Sequence, residues 1–230
     1  MGVRFVFSPK WFYGIDCIFE IVSVIVLILL AWSTYRLYKF TKNKHHLYFG
    51  ASFIALALGF IAKILTNVEI YYPEAIINTM GAKTVFTITA IIHSSIIFTA
   101  GYFFYRLFLL LGFLGLIFII THSKEYRWIP LTVFFVFIIT LFSTFAYYIF
   151  HITAAVLLFY VAYYLYKNWR KKKKKKIVPL LTFLSFLSLF ISAIMFIFVI
   201  VNSYFYVLAE VLQFLGFLLL LIAYIILIRK

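Results

Sequence analysis

The feature that most constrains this chain is a series of apolar stretches, each about as long as a membrane-spanning helix. A helix that crosses the hydrocarbon core needs about 20 apolar residues. Hydrophobic residues make up 67% of the sequence, against roughly 45–50% in a soluble domain, so the surplus predicts a surface that faces lipid. The stretches lie at 14–38, 46–66, 84–121, 129–146, 148–166, 178–201 and 204–228. The sequence therefore predicts an all-α, polytopic transmembrane helical bundle in the cell membrane, with residues 1–230 forming a single transmembrane domain.

The stretch 84–121 is long for one span. A straight helix of this length would reach about 57 Å, nearly twice the roughly 30 Å hydrocarbon core. Charge favours one crossing, because two crossings would move the run Lys171–Lys176 away from the side that holds most other Lys and Arg residues, against the positive-inside tendency. We therefore predict seven spans, with the N-terminus outside and the C-terminus inside.

That choice makes 99–121 the spanning part of the third helix. A polar loop is expected at 67–83 because it contains two glutamates and a proline. Residues 84–98 would form an outer extension or a re-entrant piece. Whether 84–121 is one helix or two is left open at this point.

Three segments of the first half recur in the second half, in the same order. LLAWSTYRLYK at 29–39 corresponds to LLFYVAYYLYK at 157–167, and LGFLGL at 111–116 corresponds to LGFLLL at 215–220. The remaining matched positions are Tyr102/Tyr206 in the third and seventh stretches and, in the second and sixth stretches, Ser52/Ser185, Phe53/Phe186 and Leu56/Leu189. Shared composition is one explanation, and an internal duplication is the other.

A duplication would divide the chain into repeat one at about 14–121, a linker helix at 129–146 and repeat two at about 148–228. Repeats of three helices separated by a single helix run parallel in the membrane. This layout resembles that of the SWEET sugar transporters, which also have parallel repeats. The resemblance is architectural, and the chain departs from it in its prolines. SWEET transporters place prolines within helices, whereas here all four are expected at helix ends or in loops: Pro9, Pro73, Pro130 and Pro179.

Two short motifs carry a second resemblance, one that covers most of the chain. LYK with a following lysine ends the first helix, and LGFLLLL lies in the last helix. In these motifs the chain is similar to a loose group of uncharacterised archaeal seven-helix membrane proteins. That likeness implies no function.

Composition and motifs argue against several function classes. The formal net charge of +15 would suggest nucleic acid in a soluble protein, but cytoplasmic loops of membrane proteins also collect Lys and Arg, so no nucleic-acid partner is expected. Cys17 is the single cysteine, which excludes an internal disulfide. The last helix has no lysine to which retinal could attach, and no HxxxH, GxSxG or GxGD signature occurs. We therefore expect no enzyme, no metal site and no cofactor.

Ionisable and polar side chains within the spans are the candidates for a ligand site, because they are expensive in lipid and usually face the bundle interior. On the predicted topology they lie in the outer half of the bundle. The candidate ligand-binding residues are Glu20, Lys63, Arg106, His151, Glu210 and Gln213. We predict that Arg106 pairs with Glu210, since each stands five residues ahead of an LGF segment.

Other interpretations of these side chains stay open. Asp16, Glu20 and Lys63 would also fit a solvated position at the membrane interface, where long side chains snorkel towards water. His151 is a candidate proton carrier or ligand, because histidine titrates in the physiological range. A hydrogen-bonded packing role for this histidine is the alternative.

A basic run follows the fifth stretch and consists of Lys171, Lys172, Lys173, Lys174, Lys175 and Lys176. It is a solvated loop and a topology signal. It is also a candidate site for anionic lipid headgroups at the cytoplasmic face, which attract each basic residue near the surface by about 1 kcal/mol. The sequence leaves a protein partner and the oligomeric state open.

Two functions therefore remain. One is small-solute transport through a polar site in the outer half of the bundle. The alternative is a seven-helix receptor, sensor or accessory membrane subunit that binds a partner or lipid without transport. The scarcity of glycine and proline within the helices favours this second function, because transport sites are often built on broken helices.

Overall fold

The computed structural model describes residues 8–79, 84–121, 129–143, 146–171 and 177–228. For Lys10, 69–79, 84–97, Ile129 and Ile228 it describes the backbone alone. Throughout these ranges the secondary structure is helical, with no strand. The seven α-helices are α1 (Ile15–Thr41), α2 (Lys44–Thr79), α3 (Thr84–Ile120), α4 (Ile129–Phe142), α5 (Tyr147–Lys171), α6 (Ile177–Ile197) and α7 (Tyr204–Ile228).

Six of these helices are long and apolar enough to cross a membrane: α1, α2, α3, α5, α6 and α7. The apolar part of α4, Pro130–Phe142, is shorter, at about 20 Å. The prediction of an all-α bundle of membrane-spanning helices is confirmed at this level. The physical basis is that a segment within lipid must satisfy its backbone hydrogen bonds internally, and a helix does so. The apolar length of each stretch therefore predicts where a spanning helix lies.

The stretch left open in the sequence is one continuous helix, since α3 runs from Thr84 to Ile120. Residues 84–98 are thus a helical extension and not a re-entrant piece. The predicted loop at 67–83 is wrong over most of its length, because α2 continues to Thr79 and only 80–83 lie outside the described residues. Polar residues indicate where a chain leaves the lipid. They do not end the helix, because a helix satisfies its backbone hydrogen bonds in water as well.

The predicted positions of the prolines are partly confirmed and partly wrong. Pro130 and Pro179 lie in the first turns of α4 and α6, where the missing N–H removes no helix hydrogen bond. Pro73 lies inside α2, so its predicted position in a loop is wrong. At the other end of α2, Lys42 adopts a left-handed conformation with φ 54° and donates its N–H to the Tyr38 carbonyl at 2.8 Å. This tight turn makes α1 and α2 antiparallel neighbours.

The six long helices pack as two three-helix groups. In the first group α2 packs between α1 and α3, and in the second group α6 packs between α5 and α7. The groups meet along two further contacts, α1 with α7 and α3 with α5, while α4 lies against α3 and α5. Each contact in one group therefore has a counterpart in the other.

Close approach of α2 and α3 depends on Gly112. A Cβ at this position would lie 2.6 Å from the Leu56 side chain and 3.1 Å from the Ser52 carbonyl oxygen. The first distance is shorter than two carbon atoms tolerate and the second is tight, so a side chain at this position would push the two helices apart or displace Leu56. Glycine lets the backbones pack at this distance.

A matching contact joins α6 and α7. A Cβ on Gly216 would lie 2.9 Å from the Leu189 side chain and 3.2 Å from the Ser185 carbonyl oxygen. Serine hydroxyls strengthen this pair by donating across the helices, a common device where lipid supplies no hydrophobic driving force. The three bonds are Ser185 to Gly216 at 2.8 Å, Ser188 to Leu212 at 2.7 Å and Ser192 to Ala209 at 2.7 Å.

Exposed basic side chains lie at the C-terminal ends of α1 and α5. They are Arg36, Lys39, Lys42, Lys167, Arg170 and Lys171. We call this the basic end of the bundle. Lys172 to Lys176 lie outside the described residues, so the predicted headgroup site is described at Lys171 alone.

Candidate functional site

Three charged side chains meet inside the bundle, at the end opposite the basic end. The ammonium of Lys63 on α2 contacts Glu20 on α1, with 2.8 Å from Nζ to Oε1, and also contacts Oε1 of Glu210 on α7. The exposed fractions are 4% for Lys63, 0% for Glu20 and 1% for Glu210. We call these three residues the ionic triad. Because Glu210 belongs to the second three-helix group, the triad links the two groups.

Neighbouring polar residues hold the carboxylates of the triad in place. Asn67, one turn after Lys63, donates from Nδ2 to both oxygens of Glu20, at 3.1 and 3.3 Å. Asp16, one turn before Glu20, is fully buried and accepts a hydrogen bond from the Tyr206 hydroxyl at 3.2 Å. Its other oxygen accepts backbone N–H groups at the start of α1, where a negative charge is favoured by the helix dipole.

Aromatic rings surround the ammonium of Lys63. Its Nζ lies 5.6 Å from the ring centre of Tyr105, 5.5 Å from that of Phe196 and 6.0 Å from that of Tyr206. These rings come from α3, α6 and α7, and their negative faces attract a cation within about 6 Å. The positive charge of Lys63 is therefore stabilised both by carboxylates and by aromatic rings.

The triad holds one more negative than positive charge when all three groups are ionised. Oε2 of Glu210 accepts no hydrogen bond from any of the described residues. In a low-dielectric interior an ion pair is stable only with good geometry and further hydrogen bonds, which Asn67 supplies to Glu20. This arrangement fixes helix positions, and nothing in it resembles a nucleophile with an adjacent base.

Arg106 does not pair with Glu210, so the predicted ion pair is wrong. Its Nη1 donates instead to the carbonyl oxygen of Ser143 at 2.6 Å and to the Ser143 hydroxyl at 3.2 Å. Its guanidinium also lies 5.5 Å from the ring centre of Tyr102. The repeat match placed Arg106 and Glu210 at a similar depth, but depth does not determine which way a side chain points around its helix. Lys63 reaches Glu210 from α2.

His151 packs among aromatic rings near the start of α5. Its ring is stacked on Phe196, with 4.9 Å between centroids and 20° between planes. It also contacts Phe150 and Tyr147 edge-on. The stacking places the imidazole beside the aromatic environment of Lys63, since Phe196 belongs to both.

A cavity of about 50 Å³ adjoins the triad. Its basic lining side chains are Lys63, Arg106 and His151, and its hydroxyl-bearing lining residues are Tyr102, Tyr105, Tyr147 and Tyr206. One water needs about 10–15 Å³ measured in this way, so the space suits roughly four waters or one small ion. The first three-helix group and the second both contribute to the lining.

A second cavity, of about 30 Å³, lies next to the first along the bundle axis. Tyr105, His151 and Phe196 line both cavities. The rest of the second lining is largely apolar, with Ser192 and Gln213 as its other polar members. The three shared side chains thus form the partition between a polar and a mainly apolar space.

The structure brings together most of the candidate residues that the sequence identified. Glu20, Lys63 and Glu210 are in contact, Arg106 and His151 line the first cavity, and Gln213 lines the second. The alternative in which Asp16, Glu20 and Lys63 are solvated at the interface is wrong, because all three are enclosed by protein.

Sequence reasoning missed the aromatic and hydroxyl groups of the site. Tyr105 and Ser143 carry no charge, and the chain has 18 tyrosines, so a search for ionisable groups in lipid passes over them. Tyr102 and Tyr206 did carry a signal, because they occupy matching positions ahead of the two LGF segments.

The fold and site together define a multipass membrane protein with a buried ionic cluster beside a small polar cavity. No family model, curated protein or solved structure matches the chain. Within the described residues no three His, Cys, Asp or Glu side chains are grouped so that they could hold a metal ion.

Proposed function

We propose that this protein carries a small solute across the membrane, through the polar cavity between its two three-helix groups. The observation that supports this most is the composition of the cavity lining. Lys63 and Arg106 come from the first group, while His151 and Tyr206 come from the second. A site shared by two groups changes shape when the groups move, which is how transporters with internal repeats expose a site to either side in turn.

We further propose seven spans in the cell membrane, with the N-terminus outside and the C-terminus inside. Ser143, just beyond the end of α4, bonds to Arg106 in the first half of the α3 span. This contact supports an α4 that runs antiparallel to α3 and returns the chain to the far side. The exposed basic residues at the ends of α1 and α5 support a cytoplasmic basic end.

The proposal includes an internal duplication with parallel repeats, the layout that resembles SWEET transporters. Its support is the pair of matching glycine contacts. Gly112 meets Ser52 and Leu56, and the residues aligned with these three in the sequence make the same contact between α6 and α7. Shared composition alone would not place three aligned residues in one contact twice.

A receptor or accessory subunit that moves no solute is the second candidate. The observation in its favour is the enclosure of the ionic triad, whose three side chains are at most 4% exposed. A sealed triad suits a rigid bundle that presents its surface to a partner.

A thiol-accessibility experiment separates the two candidates. Val199 lines the cavity and is 4% exposed, and Val199→Cys keeps its size close to the original. The variant is made in a Cys17→Ser background, which removes the single native thiol. Sealed vesicles are treated with a membrane-impermeant thiol reagent from the outside or from the inside.

Transport predicts labelling of the cavity cysteine from both sides, because the two groups expose it in turn. A matched control is Val156→Cys in the same background, since Val156 is exposed on the outer surface of α5 within its span and should be shielded by lipid. Labelling of Val199→Cys from one side only, or from neither side, would refute transport and favour the receptor.

A further inference from the structure

We infer that the solute is a small monovalent oxyanion of planar shape, such as formate or nitrate, which binds against the guanidinium of Arg106. This inference rests on the proposed transport function and specifies its substrate class. Three properties of the cavity support it: the hydrogen-bonding groups in its lining, the partners of its two cations and its size.

The cavity presents hydrogen-bond donors and no carboxylate from the described residues. Its charged lining side chains are Lys63 and Arg106. Glu20 and Glu210 do not line it, although both contact Lys63. The hydroxyls of Tyr102 and Tyr105 and the imidazole of His151 add groups that can donate to an anion. The hydroxyls of Tyr206 and Tyr147 already donate to Asp16 and to the Ile197 carbonyl. A cation entering this space would meet the positive charge of Arg106 with no carboxylate in the lining to offset it.

The two cations of the lining differ in how well they are matched. Lys63 already contacts two carboxyl groups, which balance its charge within the triad. Arg106 bonds only to the neutral groups of Ser143 among the described residues, and it does so through Nη1. Nε and Nη2 donate to no described residue. The unmatched charge of the cavity is therefore that of Arg106.

Arginine favours a particular kind of anion. Its planar guanidinium presents N–H donors in a fixed fork that fits two oxygens of a planar oxyanion at once, whereas a spherical halide offers that fork a single acceptor atom. A cavity of about 50 Å³ holds one such ion with few waters. Arg106 contributes one positive charge that no carboxylate of the described residues contacts, and one negative charge on the ligand balances it, so the anion is monovalent.

Proteoliposome uptake of radiolabelled formate tests the inference, with unlabelled nitrate, chloride, sulfate, methylammonium and glycerol as competitors. We expect nitrate to compete best, chloride weakly, and sulfate, methylammonium and glycerol not at all. Arg106→Gln should weaken formate uptake about 10- to 100-fold, the effect of losing a charged hydrogen bond. Arg106→Lys, which keeps the charge but loses the fork, should be intermediate. Arg36→Gln, at an exposed arginine of the basic end, should match the unaltered protein.

The outcomes separate this inference from the transport proposal. Radiolabelled methylammonium and glycerol are tested for uptake in parallel. Uptake of either one in place of formate, together with labelling of Val199→Cys from both sides, would overturn the anion and leave transport standing. Equal competition by chloride and nitrate would overturn the planar oxyanion. Unchanged formate uptake in Arg106→Gln would remove Arg106 from the site. If Arg106→Gln does not fold, the comparison of Arg106→Lys with Arg36→Gln decides the same point. No uptake of any solute, with Val199→Cys closed from one or both sides, would end both proposals.

Discussion

Replacing Lys63 with methionine removes the one cation that two buried carboxylates share. Methionine fills similar space but carries no charge, so Glu20 and Glu210 are left with no ammonium between them. Removing one partner of a buried ion pair typically costs about 3–5 kcal/mol, because the surviving charge stays desolvated. At about 2–4 °C per kcal/mol for a chain of this size, we expect the Tm of Lys63→Met to fall by roughly 6–20 °C.

A smaller loss is expected for Glu210→Gln. Lys63 then keeps its contact with Glu20 at 2.8 Å, and the change removes one charged hydrogen bond, worth about 1.5–3 kcal/mol. The triple variant Lys63→Met, Glu20→Gln, Glu210→Gln leaves no charge in the triad. It should therefore recover part of the stability that Lys63→Met loses, although it carries two more substitutions.

Thermal unfolding in a mild detergent measures these differences. The matched control is Lys39→Met, because Lys39 is an exposed lysine that lies 5.3 Å from the ring centre of Tyr35. Exposed substitutions usually change stability by no more than about 0.5 kcal/mol. The reasoning is refuted if Lys63→Met is as stable as Lys39→Met, or if the triple variant is less stable than Lys63→Met alone.

Three further outcomes follow from the packing and the charge pattern. Arg106→Gln and Glu210→Gln should lose stability additively to within about 0.5 kcal/mol, since the two residues share no hydrogen-bond or ion-pair partner among the described residues. A larger coupling energy in a double-variant cycle would support an ion pair between them after all. Gly112→Leu and Gly216→Leu should each destabilise by about 1–3 kcal/mol through overpacking, which unfolding curves would measure beside a leucine placed at the exposed Ala51. Reporter fusions between α2 and α3 and at the end of α5 should report opposite sides of the membrane, and a shared side would contradict the seven-span topology.

Helix positions were predictable because the cost of lipid acts locally along the chain. The last helix was predicted at 204–228 and is α7, Tyr204–Ile228. The fifth was predicted at 148–166 and extends to Lys171, since a helix continues past the lipid while its side chains reach water. The same reason explains the error at 67–83, where polar composition was taken to end α2.

The membership of the site was predictable, but its pairing was not. The energetic cost of charge in lipid predicted that Glu20, Lys63 and Glu210 would face inward, and they do. Pairing depends on how each helix is rotated about its own axis. Contacts elsewhere along the helices determine that rotation, such as the close approach of α2 to α3 at Gly112. Aligned positions in two repeats are related by symmetry, and symmetry alone places neither in contact with the other.

Lys63 and Arg106 differ in the partners that hold their side chains, and this difference determines which of them can bind a ligand. Lys63 is held by carboxylates from α1 and α7, so it joins the groups, and any motion that separates α2 from α7 at this end must break the Glu210 contact while sparing Glu20. Arg106 is held by one neutral residue of the segment after α4. Its remaining donors can therefore bind a ligand while each buried carboxylate keeps its own partner. Lys63 belongs both to the triad and to the lining of the cavity that Arg106 lines. Under the proposed transport function, solute binding at Arg106 and motion of the two groups would therefore influence one another through Lys63.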